Sequence, residues 1–406
     1  MSAKQDNDIV LAAPVRTPIG KFLGGLSSLT AADRGTAAAR AALERAGLDP
    51  QHVDQVIFGH GRQAGGGPNT ARQISHRSGV PADRPAYTVN QACASGLQAV
   101  LSAARTILTG EARVVLAGGT ESMSNTPYLL PRARTGYRLG NAEIVDAMYK
   151  DGFNCPLADM PMGETAEELA AEVGINRADS DAYALESQLR CERARANGRF
   201  ESEIAPIQVP GKKGDVTIST ISKDEHPRDG ATLESMTKLK PVFRENGVVT
   251  AGNASGITDG AAAIVVASRA AARELGLPVV ARLAGWNVVG VEPRIMGIGP
   301  VPAVRELLKK TGTDLSSIDE IELNEAFAAQ VLACARALDL DPALLNPDGG
   351  AIALGHPIGA TGTRILVTLL HGLEKRGGER GIATLCVSGG MGIAALVERE
   401  AGGTTA

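Results

Sequence analysis

Leu43-Glu-Arg-Ala-Gly47-Leu-Asp-Pro-Gln-His-Val-Asp54-Gln-Val-Ile-Phe-Gly59 returns in outline as Leu308-Lys-Lys-Thr-Gly312-Thr-Asp-Leu-Ser-Ser-Ile-Asp319-Glu-Ile-Glu-Leu-Asn324. Both stretches are 17 residues long, and their Leu, Gly, Asp and β-branched positions fall in register at an offset of 265. Each reads as the end of a helix, a glycine stop and a short buried strand. Further along, Cys93-Ala-Ser-Gly96 leads a helix, and His356-Pro-Ile-Gly-Ala-Thr-Gly362 leads another at an offset of 263. A charged turn, a buried strand and paired glycines follow each helix, at Arg113–Gly119 and Ile382–Gly390. All α/β proteins share some of this rhythm, but the matching offsets point to a duplicated unit.

The rest of the chain fits that frame. Strands are expected at 8–14, 53–58, 86–89 and 261–267, and helices at 30–46, 69–79, 93–108, 164–173, 177–197 and 268–275. Two Pro- and Gly-rich excursions, 121–165 and 200–250, lie between the copies. Long excursions in compact domains tend to be functional loops. The division expected is an N-terminal half, 1–272, carrying loop excursions over about 121–250, and a C-terminal half, 273–406. A chain of 406 residues calls for two core-forming units.

Composition excludes several classes. Hydrophobic residues at 44% and charged residues at 21% are ordinary for a folded protein and rule out wholesale disorder. The 48 glycines have no triplet period, so collagen is excluded. With 41 basic against 45 acidic residues there is no broad field for nucleic acid. No uncharged apolar run is long enough to span a membrane. The N-terminus lacks the features of a signal or presequence, and the C-terminus is not a peroxisomal address. Five scattered cysteines form no Cys-x-x-Cys pair, which argues against a disulfide framework or a zinc site. A cytoplasmic protein with free thiols and no metal is expected.

Four residues carry the chemistry. Cys93 follows a strand at a helix start, where the positive helix end lowers a thiol pKa and favours a thiolate nucleophile. A small buried cysteine would fit the same turn. His356 occupies the equivalent place in the second copy. It should stay neutral there and suits a base for a thiol. Cys386 ends a strand before Ser388-Gly-Gly-Met-Gly392, whose N–H groups can face a carbonyl oxygen, or it is simply a strand cysteine. Asn324 ends another strand in Asn324-Glu-Ala-Phe327. Its amide can hold an oxyanion or order a water, although Asn there is more often a turn residue. Cys191 and Cys334 read as core. Cys155 is either near the site or merely buried. Arg228, in Lys223-Asp-Glu-His-Pro-Arg228, is a candidate phosphate contact. His52, His60, His76 and His371 form no ligand set, and no nucleotide P-loop or serine-hydrolase elbow is present.

Six segments in order resemble one family along nearly the whole chain. They are Cys93-Ala-Ser-Gly, Gly118-Gly-Thr-Glu-Ser-Met123, Ala251-Gly-Asn-Ala-Ser-Gly-Ile-Thr-Asp-Gly260, Asn324-Glu-Ala-Phe327, Gly355-His-Pro-Ile-Gly359 and Cys386-Val-Ser-Gly-Gly-Met-Gly392. This set resembles the thiolases, acetyl-CoA C-acyltransferases. The resemblance implies an α/β fold of two similar halves in five layers, α-β-α-β-α, with a loop domain inserted in the first half. It implies an S-acylated Cys93, His356 as its base, Cys386 as the second acid/base, and Asn324 holding a water. It places the N–H groups of Cys93 and Ser388 in an oxyanion hole. Arg228, Ser235, Ala251 and Ser255 would touch coenzyme A, and Met162, Met296, Phe243 and Phe327 would wall the pantetheine and acyl groups. No permanently bound cofactor is implied, only coenzyme A thioesters as substrates: acetyl-CoA and 3-ketoacyl-CoA. The family forms dimers and tetramers, and a homotetramer is expected here. The implied activity is condensation of two acetyl-CoA or thiolysis of 3-ketoacyl-CoA, with a longer-chain thiolase of fatty-acid β-oxidation as the alternative. Pro161 favours that alternative, because short-chain members usually carry His there.

Overall fold

The computed structural model describes residues 5–211 and 218–400. Among these, ten strands form one hydrogen-bonded sheet. Its path runs Glu320–Leu323, Arg380–Val387, Met391–Arg399, Val279–Gly290, Ile9–Arg16, Thr258–Ser268, Val114–Ser122, Gln55–Gly59 and Ala86–Val89, with Gly20–Lys21 added beside Thr258–Ser268. The first strands of the two halves meet in the middle as an antiparallel pair, Val10 opposite Arg282 and Leu11 opposite Ala281. Outward from this seam the order of strands is the same on both sides. The outermost N-terminal pair, Val56 with Ala86, is a full parallel ladder. Its counterpart has shrunk to a single parallel bridge, Ile321 with Leu345.

The duplication extends to hydrogen bonds. Gly47 and Gly312 both stop their helices in the left-handed conformation, at φ 58° and 64°. Asp49 and Asp314 each cap the short turn that follows, accepting from the N–H two residues on. Asp54 accepts from the N–H groups of Arg113 and Val114, and Asp319 from those of Glu379 and Arg380. The second copy's strand therefore begins at Arg380, two residues before the expected Ile382.

Alternating side chains sort the layers. Ile57, Val115, Ala117, Ile264 and Val266 face one core, and Val56, Phe58, Val114, Leu116, Ala263 and Val265 face another. The first core also takes Ala383, Leu385, Ile393 and Ala395 from the second half. Two helices, Ser95–Leu108 and Ile358–Arg376, lie between the two halves of the sheet and fill that shared core. The helix Ala31–Ala46 covers the outer N-terminal face, and Pro300–Thr311 with Ala328–Leu338 covers the outer C-terminal face. Five layers result, as the family resemblance implied.

The central helices approach closely because glycine faces backbone at the contact. A Cβ on Gly96 would stand 2.8 Å from Thr363 N and 3.0 Å from Gly359 O. One on Gly359 would stand 2.7 Å from Gly61 N. Both helix starts, and hence Cys93 and His356, are thereby held at one point. The excursion between the copies is only partly irregular. It holds two short antiparallel pairs, Tyr128–Leu129 with Val145–Asp146 and Asn154–Cys155 with Met160–Pro161, then the helices Met162–Val173 and Arg177–Ala196.

Candidate active site

Cys93 sits in the 3-10 turn Ala92–Ala94, one turn ahead of the helix that begins at Ser95. The turn is strained. Ala92 has φ 46°, a left-handed value that a non-glycine residue adopts at a cost of about 1–3 kcal/mol. The N–H of Cys93 and that of Ser388 both stabilise its sulfur. Even so, burial raises the thiol pKa, opposed first by Arg62 and then by these N–H groups. The expectation of a helix-lowered thiolate is thus corrected: the sulfur lies outside the helix proper and desolvation outweighs the helix end.

His356 is neutral, and mainly for a different reason from the one expected. Burial pulls its pKa down to about 3, with the positive charges of Arg364 and Arg62 adding to the effect. Its Nδ1 lies 2.7 Å from Thr361 Oγ1, whose hydroxyl donates to Pro357 O at 3.0 Å. That hydroxyl proton is committed, so Nδ1–H is the donor to Thr361. The Nε2 lone pair is then left free, and it has no partner among the described residues. A neutral imidazole with a bare, buried Nε2 is a proton acceptor awaiting a proton.

Cys386 is buried in the strand Arg380–Val387. Burial pushes its thiol well up, and repulsion from Cys93 and Cys334 adds to this. It packs in an apolar cluster with Met296, Ala326, Met162 and Phe327. Asn324 ends the neighbouring parallel strand, its N–H bonded to Thr384 O. Its side chain is buried with both amide atoms partnerless among the described residues. A primary amide in that state is poised to bind a water or a substrate oxygen.

One pocket collects these groups. Cys93, His356, Cys386, Ser388, Ser255, Met162, Met296, Phe243 and Phe327 all line it. Ser255 is brought across from the other half, because its N–H bonds to Ala326 O and Ala254 bridges Phe327. Asn324 is not among the lining residues. Arg228, Ser235 and Ala251 do not reach the pocket. They are exposed on the outer surface, where Arg228 Nη2 meets Ala251 O at 3.4 Å and the Ser235 hydroxyl completes a capping box with Thr232. Cys155 is buried but does not line the pocket, and Cys191 and Cys334 are core. All five cysteines are free thiols. No group of metal ligands occurs among the described residues, and no helix there is long and apolar enough to cross a membrane.

Sequence reasoning missed two charged residues. Glu121 is fully buried and accepts from the N–H groups of Gly61, Arg62 and Gly359, while His60 Nε2 lies 3.2 Å from it. It ties the strand end before Arg62 to the start of the His356 helix. Arg62 itself lines the pocket. The available signal was position: charged residues directly after buried strands sit where α/β sheets place their ligands.

Comparison with known proteins agrees with this geometry. The family model for the thiolase N-terminal domain matches residues 9–270, and that for the C-terminal domain matches 277–399. The chain is 50% identical to an acetyl-CoA acetyltransferase of Pseudomonas aeruginosa over 97% of its length and all of that protein. It is 48% identical to one from Cupriavidus necator at the same coverage. Among solved structures, the Bacillus anthracis acetyl-CoA acetyltransferase aligns with TM-score 0.94 at 44% identity, covering 97% of this chain and 99% of that one. Human mitochondrial 3-ketoacyl-CoA thiolase aligns with TM-score 0.93 at 43% identity, covering 98% of this chain and all of that one. Two matched domains in sequence, and relatives of similar length aligned end to end, place this chain in the thiolase family.

Proposed function

We propose that the protein is an acetyl-CoA C-acetyltransferase. It would join two acetyl-CoA into acetoacetyl-CoA and CoA, and run the reverse thiolysis of 3-ketoacyl-CoA, through an S-acyl Cys93. The observation that carries this is the meeting of two cysteines and a neutral histidine with a bare Nε2 in one pocket, beside the strand end that carries the partnerless buried amide of Asn324. A thiol nucleophile suits thioester exchange because the intermediate is itself a thioester. His356 Nε2 takes the Cys93 proton as sulfur attacks the acyl carbon, and CoA leaves as the thiol carrying that proton. Cys386 then gives its own proton to His356 Nε2, which donates, with the water on Asn324, to the thioester oxygen of the second acetyl-CoA. The Cys386 thiolate removes that substrate's methyl proton, and the carbanion attacks the acyl carbon on Cys93. The N–H groups of Cys93 and Ser388 hold the oxyanion that forms. Ser255 and the apolar walls receive pantetheine, and Arg228, Ser235 and Ala251 receive the outer part of coenzyme A. The division into halves at 272/273 and a cytoplasmic location belong to the same reading.

Acetyl-CoA alone should add one acetyl group per chain, mapped to Cys93 by mass spectrometry. Thiolysis of C4, C6, C8 and C16 3-ketoacyl-CoA substrates should fall after the short members, since Phe153 and Phe243 both border the pocket. A rise toward C16 would favour the longer-chain reading, which Pro161 supports by lining the same pocket.

Acid should affect acylation little through His356. Its folded pKa of about 3 lies below its unfolded value, so the basic form persists throughout pH 5–8. An ordinary imidazole of pKa about 6.5 would lose about tenfold of its basic form by pH 5.5. A pH profile of Cys93 acetylation that drops tenfold between pH 7.5 and 5.5 would contradict this.

The oligomer proposed is a homotetramer. The segment around Tyr128–Ile144 exposes Tyr128, Leu130, Leu139 and Ile144, with Leu139 fully exposed. Apolar side chains this exposed on one segment mark a contact surface. Light scattering at micromolar concentration should give four chains per particle, and a monomer would contradict the reading.

A further inference from the structure

Six arginines are buried among the described residues: Arg16, Arg34, Arg62, Arg199, Arg269 and Arg364. Five have a carboxylate within ion-pair distance. Arg16 has Asp224 at 2.7 Å, Arg34 has Asp259 at 3.2 Å, Arg199 has Asp348 at 2.7 Å, Arg269 has Asp8 at 3.1 Å and Arg364 has Glu322 at 3.6 Å. Arg62 is the exception. It is only 8% exposed, and no described carboxylate pairs with it. Its Nε is sealed from solvent and has no hydrogen-bond partner. Glu121 is already engaged by four backbone N–H groups and His60. Glu121 is close enough for the Arg62 charge to lower its pKa, but the two side chains form no ion pair. A buried cation without a direct ion-pair partner is costly, and an apolar side chain of similar size would close the wall more cheaply.

The surroundings show what faces this charge. Arg62 borders the catalytic pocket, and its guanidinium packs flat against Gly152, where any Cβ would collide with it. Gly152 belongs to the turn Tyr149–Phe153. Phe153 packs with Cys93 against Met123, Met148 and Ile358. Cys386 sits in a separate cluster with Met162, Met296 and Phe327. An acyl group on the Cys93 sulfur therefore has its own apolar wall, and Arg62 is the cation on the border of that side.

We propose that Arg62 is a specificity-determining residue that pairs with a carboxylate at the far end of the acyl chain, so that the substrates include short diacid acyl thioesters. This rests on the thiolase reading above and names its substrate class. For 3-oxoadipyl-CoA the Cys93 sulfur attacks C3, and the C2–C3 bond breaks. The electron pair leaves on C2 of acetyl-CoA, which takes a proton from Cys386. The S-succinyl group on Cys93 then passes to the thiol of CoA, giving succinyl-CoA. The terminal carboxylate takes no part in bond making, and its charge-assisted hydrogen bonds to Arg62 hold the chain in place.

The test compares kcat/KM for thiolysis of acetoacetyl-CoA, 3-oxohexanoyl-CoA and 3-oxoadipyl-CoA by the full-length enzyme. The last two differ only in the terminal carboxylate. Wild type should favour 3-oxoadipyl-CoA by about tenfold or more, the worth of a buried charge-assisted hydrogen bond. Arg62→Met should reverse the preference, and Arg62→Lys should keep part of it. Succinyl-CoA should also acylate wild-type Cys93 faster than butyryl-CoA, a measurement that needs no variant to fold. Turnover of acetoacetyl-CoA with no preference between the longer pair would overturn the proposal and leave the thiolase reading standing. An equal loss on all three substrates in Arg62→Met would overturn it too, by assigning Arg62 to the Cys93 sulfur. No turnover of any substrate would overturn the thiolase reading, and this proposal with it.

Discussion

Cys93→Ser should lose roughly 10³-fold or more of its turnover and all S-acetylation by acetyl-CoA, because a step that runs through one nucleophile has no parallel route. The loss is chemical. A serine oxygen fits the same turn and faces the same N–H groups of Ser388 and residue 93. Circular dichroism and melting should therefore stay close to wild type. The difference is the proton. A thiol, even with its pKa raised by burial, is far more acidic than an alcohol, and its sulfur forms a thioester that exchanges readily with CoA. An acyl ester on serine would be a sink of lower energy. His356, held neutral with a pKa of about 3, is too weak a base to compensate for the poorer acid. Intact-mass measurement after acetyl-CoA treatment checks this directly. An acetyl group retained on the variant and mapped to Cys386 would overturn the assignment of nucleophile.

What could be read from sequence divides along a physical line. The duplication was legible because caps and core positions are local. Gly47 and Gly312, Asp49 and Asp314, and Asp54 and Asp319 each do one job within a few residues or one strand pair, so spacing alone reveals them. Cys93 and His356 were legible for the same reason, as residues at helix starts in matching places. Their protonation was not. Helix position argued for a low thiol pKa at Cys93, yet desolvation prevails, and only packing in three dimensions shows how much water is lost. His356 came out neutral as expected, but through burial and the charges of Arg364 and Arg62 rather than its helix. Arg62 and Glu121 were illegible because their meaning lies in absent or long-range partners. Nothing in Gly61-Arg62-Gln63 says that this arginine will be buried unpaired. Glu121 reaches Gly359, 238 positions away, with no spacing to announce it. Arg228, Ser235 and Ala251 were assigned by resemblance, and they lie at the exposed outer surface, outside the pocket lining.

Cys386→Ala separates the two halves of the reaction and should do so sharply. Acylation of Cys93 needs a base for the thiol, donors for the oxyanion, and a leaving CoA. His356 and the N–H groups of Cys93 and Ser388 supply the protein's share, and none is removed. The variant should still take up one acetyl group from acetyl-CoA. Carbon–carbon bond formation needs an α-proton removed, and cleavage needs one returned. Cys386 is the titratable member of the cluster it forms with Met162, Met296, Ala326 and Phe327, and it lines the pocket. Its raised pKa suits both directions. A strongly basic thiolate can take a carbon-bound proton, and a thiol that is reluctant to ionise is present as the acid when the enolate leaves. Losing such an acid/base typically costs about 10²–10⁴-fold. Thiolysis of acetoacetyl-CoA and condensation of acetyl-CoA should both fall by that factor while S-acetylation persists. Alanine leaves only a small void in a strand that is otherwise packed, so the fold should hold. Exchange of deuterium from solvent into the methyl group of acetyl-CoA gives a second readout and should stop with the same variant. Near-normal thiolysis, or undiminished deuterium exchange, would show that another group moves the proton and would remove Cys386 from the mechanism.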